Sequence, residues 1–89
     1  MTRRSKLEIC FDVLNIVNQG VFKPTQIMYK TNLSWSVLQG ILNTLIEAEF
    51  IRAEQRRKFK RYYITEKGIN SLSYFRKSRE ELLPMGIAW

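Results

Sequence analysis

Ser34 to Phe50 reads SWSVLQGILNTLIEAEF, and this stretch decides how the rest of the chain is read. Leu38, Ile41, Leu42 and Leu45 recur at a spacing that, at about 100° per residue, puts them on one helical face. The other side carries Ser36, Gly40 and Asn43 with Gln39 beside them, a thin strip of short polar side chains. Ser34 is suited to cap the helix, and Asn32-Leu33 before it reads as a tight turn. Val37 stands where a capping box needs Glu or Gln, so the serine caps alone. Such a helix is buried on its apolar side and offers the polar strip to a partner.

Working back from it, Pro24 or Thr25 opens a brief helix over Gln26 to Lys30. It sends Ile27 and Met28 inward and holds Tyr29 at its edge. With the break at Thr31-Asn32-Leu33, the short and long helices have the spacing of a helix-turn-helix, whose second helix lies in the DNA major groove. A first helix runs from Ser5 or Lys6 to about Asn18 and stops at Gln19-Gly20. Leu7, Cys10, Phe11, Leu14 and Val17 form one of its faces; Ile9, Val13 and Ile16 form a second, roughly opposite. Two apolar faces predict that it packs between its own core and another helix, the last one or one from a second subunit. Cys10 lies inside the first face and reads as core filler, not as a reactive thiol. Val21 to Lys23 is extended, a candidate short third strand.

Past Phe50 the period changes from helical to alternating. Ile51-Arg52-Ala53-Glu54 and Arg61-Tyr62-Tyr63-Ile64 read as two strands of a hairpin. The segment between them has no Asn-Gly or Asp-Gly, which predicts an open, mobile tip and not a tight two-residue turn. Thr65 caps a last helix spanning 65–83, with Glu66 against its N-terminal dipole and Leu72, Phe75 and Leu82 on one stripe. Pro84 ends it, leaving an apolar tail over 84–89. With no repeats and no dividing linker, residues 1–89 read as one domain, 5–64 forming the helix-turn-helix and hairpin.

Fifteen Lys and Arg against eight Asp and Glu give a net charge of +7, which calls for a polyanionic partner, nucleic acid before acidic membrane. There is no histidine and one cysteine, so neither a metal site, a cofactor site nor a nucleophile–base pair is expected, and an enzyme is not. The lone cysteine fits a reducing compartment. No apolar run approaches the ~18 residues of a membrane span and the N-terminus is no signal peptide, so a cytoplasmic protein is expected.

The charge is concentrated. Arg56, Arg57, Lys58, Lys60 and Arg61 place five cations in six positions with no acid among them. Following a helix-turn-helix so closely, they read as phosphate contacts. Phe59 in their midst either folds back on the hairpin or serves as a minor-groove wedge. On the long helix, Gln39 and Asn43 have the chemistry to pair with adenine, and Ser34 and Ser36 to meet phosphate or base. Trp35 either covers the corner of the helix-turn-helix or meets sugar and base edges; Gly40 allows close approach to DNA or to the preceding helix. Lys30 is a further phosphate candidate, as are Arg3, Arg4 and Lys6. No Arg or Lys lies on the polar strip, so sequence discrimination should be modest.

Ser5-Lys6-Leu7-Glu8-Ile9, Ile27-Met28-Tyr29, Asn32-Leu33-Ser34 and Thr65-Glu66-Lys67-Gly68, in this order and spacing, resemble the small archaeal winged-helix DNA-binding proteins. Some of these are chromatin-associated dimers and others transcription regulators. The resemblance implies a winged helix, recognition by the helix from Ser34, phosphate contacts by the 56–61 wing and dimerisation through the last helix. Pro84 ends that helix sooner than in the chromatin-associated members, whose long C-terminal helices form a coiled coil. The expected fold is therefore mainly α with a small β-hairpin, a winged helix-turn-helix of order α-α-α-β-β-α. The expected function is binding of double-stranded DNA as a transcription regulator or nucleoid-associated protein. A homodimer is expected, its interface using Ile9, Val13, Ile16, Leu72, Phe75, Leu82 and Trp89. A protein–protein module of the transcription machinery and an RNA-binding protein are the alternatives.

Overall fold

A computed structural model describes residues 5–82, the side chains of 81 and 82 excepted. The elements run α1 (Lys6–Asn18), α2 (Pro24–Thr31), α3 (Trp35–Glu47), β1 (Ile51–Arg56), β2 (Phe59–Ile64) and α4 (Glu66–Leu82). The order and types are those expected, and the fold is mainly helical with one antiparallel hairpin.

Local chemistry sets the boundaries. Ser5 caps α1 by accepting the Glu8 N–H at 3.1 Å. Gly20, at φ 97°, ends it: the Gly20 and Val21 N–H groups turn back to the Val17 and Ile16 carbonyls. Pro24 occupies the first turn of α2, where a missing N–H leaves nothing unsatisfied. Asn32 closes α2 in the left-handed region, and Ser34 caps α3 by accepting the Val37 N–H at 3.3 Å. At the far end of α3, Glu49 takes the left-handed conformation that glycine usually fills, while the N–H groups of Glu49 and Phe50 bond to the carbonyls of Ile46 and Leu45. Thr65 joins two elements, its hydroxyl donating to the Glu49 carbonyl at 2.6 Å and accepting the Gly68 N–H at 3.0 Å.

Around α1 are packed α2, α3, β2 and α4. Its Val13 and Leu14 are fully buried, with Ile27 of α2, Leu38 and Leu42 of α3 and Ile51 of β1. Both apolar faces of α1 thus contribute to the core of one chain, with Leu7 left 47% exposed at the start of the helix. Helix α4 packs on the first of these faces: Phe75 stacks on Phe11 with ring centroids 3.9 Å apart, and Arg76 donates to the Asn15 side chain.

Two expectations about the hairpin need correction. The sheet has two strands, not three. Val21 to Lys23 lies beside β2 but makes one ladder-like bond, from the Tyr62 N–H to the Phe22 carbonyl at 3.0 Å. Its neighbours have little to offer, because the Val21 N–H is already used in capping α1 and Pro24 has none. The tip is also tight where an open one was expected. Arg56 pairs with Phe59, so only Arg57 and Lys58 form the turn. Arg57 supplies the positive φ that Asn or Gly normally would, at 53°, and the Gln55 side-chain amide holds the turn by donating to the Arg57 carbonyl at 3.1 Å.

Candidate nucleic-acid interface

Helix α3 buries Leu38, Ile41, Leu42 and Leu45 and turns Ser36, Gly40 and Asn43 outward. Gln39 is half-buried beside them, and Trp35 is 48% exposed in the first turn. A Cβ built on Gly40 would meet nothing within 4 Å. This glycine is therefore not there for helix packing, one of the two readings its sequence position allowed. Ser34 has its hydroxyl oxygen committed to the cap.

The turn between α2 and α3 and the register of the hairpin bring this helix face and the wing together. Trp35 and Gln39 of α3, Pro24 and Thr25 of α2, and Gln55, Lys58, Phe59, Lys60 and Tyr62 of the hairpin line one groove of about 440 Å³. Asn43 is exposed one turn beyond Gln39 and lies outside that lining. Lys30, exposed at the end of α2, is likewise outside it. Arg56, Arg57, Lys58, Phe59 and Arg61 line a second concavity at the wing tip.

Strand alternation sorts these cations in a way the linear run does not show. Lys60 follows Tyr62 toward the core side and the groove, whereas Arg61 and Phe59 share the outer face with Tyr63. There Arg61 lies 4.9 Å over the ring of Phe22, Arg52 lies 5.0 Å over Tyr63, and the two rings are 6.0 Å apart. Glu54 also sits on this face, bonded to Arg52 and 3.5 Å from Arg56. The Arg52 hydrogen bond, more than any other influence, holds its carboxyl below the ordinary carboxylate value. Sequence reasoning missed Arg52, Thr25, Gln55 and the acid inside the cationic cluster. The signal for Arg52 and Glu54 was their alternation with Arg56, legible only once the strand extends to residue 56.

The residues expected at a dimer interface fare differently. Val13, Leu72 and Phe75 are 0%, 3% and 8% exposed under their own chain, so this surface is not free for a partner. Ile9 and Ile16 are half-buried against the same core. The Leu82 side chain and Trp89 lie outside the described residues, as do Arg3 and Arg4. Burial pushes the half-buried Cys10 thiol upward and favours its protonated form, against the smaller opposing effect of Lys6. Among the described residues, no group of three or more His, Cys, Asp or Glu is placed to hold a metal ion. No described helix is long and apolar enough to cross a membrane.

A helix-turn-helix followed by a two-stranded wing and a closing helix defines the winged helix-turn-helix architecture. The chain belongs to the winged helix-turn-helix family, whose model matches residues 3–82. It is 33% identical to the uncharacterized protein MJ0287 of Methanocaldococcus jannaschii over 70 residues, 79% of this chain and 71% of that one. It is 38% identical to MJ0290 of the same organism over 50 residues, 56% of this chain but only 24% of that longer protein. Among solved structures it is similar to Sso10a-2, a DNA-binding protein from Sulfolobus solfataricus. That match has a TM-score of 0.73 at 29% identity and covers 93% of this chain and 90% of the other. The resemblance to archaeal winged-helix proteins read from the sequence is borne out.

Proposed function

We propose that this protein binds double-stranded DNA, with α3 in the major groove and the wing on the adjacent backbone. The observation that carries the reading is the shared groove: Trp35 and Gln39 from the helix and Lys58 and Lys60 from the wing line one surface, as simultaneous contact with one duplex requires. The net charge of +7 supplies the long-range attraction. Similarity to Sso10a-2, named as DNA-binding, supports the same partner. Gln39, Asn43 and Ser36 are the base-reading candidates. Lys30, Arg56, Arg57, Lys58, Lys60 and Arg61 are the phosphate candidates, with Trp35 against the sugar edge. Lacking a cation on the outward strip of α3, the protein draws affinity mainly from backbone contacts. That suits a nucleoid-associated protein or a regulator of modest sequence preference.

A homodimer belongs to the same reading, since a two-fold pair of α3 helices matches the symmetry of a duplex. Among its described residues, α4 leaves open for it the large apolar side chains of Ile69, 47% exposed, and Tyr74, 75% exposed.

Fluorescence anisotropy of a labelled duplex tests the reading. With about 6–10 phosphate contacts, affinity falls ~10³–10⁵-fold between 50 and 200 mM salt. The Lys58→Ala, Lys60→Ala double variant lowers the log–log salt slope by about 2. A flat salt response, or a slope unchanged in the double variant, overturns it.

A further inference from the structure

We propose that Phe59 is a wedge: its ring enters the minor groove between base pairs, and the wing thereby bends the duplex. The inference rests on the DNA-binding reading above and adds to it a deformation of the DNA and the residue that makes it.

Phe59 is 74% exposed, so it does not fold back on the hairpin. Its neighbours on the same sheet face show what a satisfied ring looks like there. Phe22 and Tyr63 stack on one another, and each is covered by a guanidinium, of Arg61 and Arg52 respectively. Phe59 stacks with no described ring and lies under no described cation. A bare phenyl ring at the most cationic point of the chain has no use within the protomer.

The geometry around it fits a groove. The turn holds only Arg57 and Lys58, so the wing ends in a compact tip from which a single side chain, and not the ribbon itself, reaches into a minor groove ~6 Å wide. Arg56 is paired directly with Phe59 across the strands, and Arg57, Lys58 and Arg61 line the same concavity at the wing tip, so cations border the ring. Placed in a minor groove, these charges meet the phosphate rows on its two sides while the ring points at the base steps. Phe59 also borders the groove shared with Trp35 and Gln39, so its insertion is compatible with α3 engaging the same duplex. An apolar side chain inserted in this way unstacks a step and kinks the helix by about 20–90°. Pyrimidine–purine steps yield most readily, which predicts a preference at positions that no hydrogen bond reads. The same cations disfavour a second wing as the partner of this ring, because two such tips repel.

The test measures bending and binding separately, on the full chain. Energy transfer between the ends of a ~30-base-pair duplex containing a central TA step reports the bend; anisotropy reports affinity. Wild type shortens the end-to-end distance, and Phe59→Ala abolishes most of the shortening while affinity falls by roughly 10-fold at most. Phe59→Leu, which keeps an apolar wedge, restores most of the bend. Thermal unfolding of Phe59→Ala stays within a few degrees of wild type, because the ring buries little. A Phe59→Ala variant that still binds and bends as wild type does overturns the wedge and leaves the DNA-binding reading intact. A wild type that binds no duplex overturns both. If Phe59→Ala weakens single-stranded DNA more than duplex, the ring is a stacking platform for unpaired bases, and the wedge is overturned.

Discussion

Glu49 and Gly40 are two residues at which this chain departs from what local stability favours, and they do so for different reasons. Glu49 holds φ 64° at the end of α3, where an L-residue costs about 1–2 kcal/mol relative to its preferred backbone regions. Its carbonyl is the acceptor for the Thr65 hydroxyl that starts α4. Glu49→Gly keeps that carbonyl in place and removes the penalty, so its melting temperature should rise in a thermal scan; a fall would mean that the side chain itself has a role. Gly40 is the opposite case, a glycine inside an exposed helix face with open space where a Cβ would go. Gly40→Ala should therefore stabilise the fold by about 1 kcal/mol. Because that Cβ would point at the proposed DNA surface, duplex affinity should fall in the same variant. Opposite signs in unfolding and anisotropy experiments identify Gly40 as a contact residue, and a gain in both excludes it. Gly68, quoted in the Thr65-Glu66-Lys67-Gly68 motif, proves to be a close approach: a Cβ there would lie 2.0 Å from the Phe50 carbonyl oxygen. Nothing in a single sequence distinguishes that glycine from the open one at 40, since the difference lies in the backbone of a residue 18 positions away.

Among the elements, the helices were legible because their caps and apolar spacing are local. Ser5, Gly20, Pro24 and Ser34 each act within a few residues of where they stand, and so does Thr65 in accepting the Gly68 N–H. The wing was legible as a hairpin but not in its details. Its turn is held by a Gln55 amide and an Arg57 backbone in the left-handed region, neither of which belongs to the usual turn vocabulary. Its charge was misjudged in one respect, because the acid-free run of 56–61 acquires Glu54 through the pairing that sets Glu54 opposite Arg61. That carboxylate holds Arg52 and stands near Arg56 at the surface where phosphates are expected. Held below its ordinary value of 4.5, it stays ionised at neutral pH and competes with phosphate for both guanidiniums. The competition fades only as pH falls through that depressed value. Glu54→Gln should thus tighten duplex binding several-fold at low salt, with little change in thermal stability because exposed pairs contribute about 0–1 kcal/mol. Unchanged or weaker binding in Glu54→Gln would show that Arg52 and Arg56 do not meet DNA.

For the molecule as a whole, the question left by the two apolar faces of α1 is whether a protomer is complete without a partner. Length and composition could not answer it, since the same Ile9, Val13 and Ile16 face fits its own α4 or another chain's. The structure buries Val13 within the same chain and leaves Ile9 and Ile16 half-buried, while α4 docks on the other face of α1 through the stacked pair Phe11 and Phe75. Stability of the protomer then resides in its own core, and any dimer is built on what remains exposed. An obligate dimer behaves otherwise: its melting temperature rises with protomer concentration, because folding and association are one equilibrium. Truncating Phe75 separates the two cases. Phe75→Ala removes a ring that is 8% exposed and leaves a cavity against Phe11, which costs about 3–5 kcal/mol. If the ring belongs to the protomer's core, that loss is the same at micromolar and at hundredfold higher concentration, and sedimentation finds the same association state for variant and wild type while both are folded. If raising the concentration restores the melting temperature of Phe75→Ala, the ring instead contributes across an interface, and the fourth helix is shared between chains.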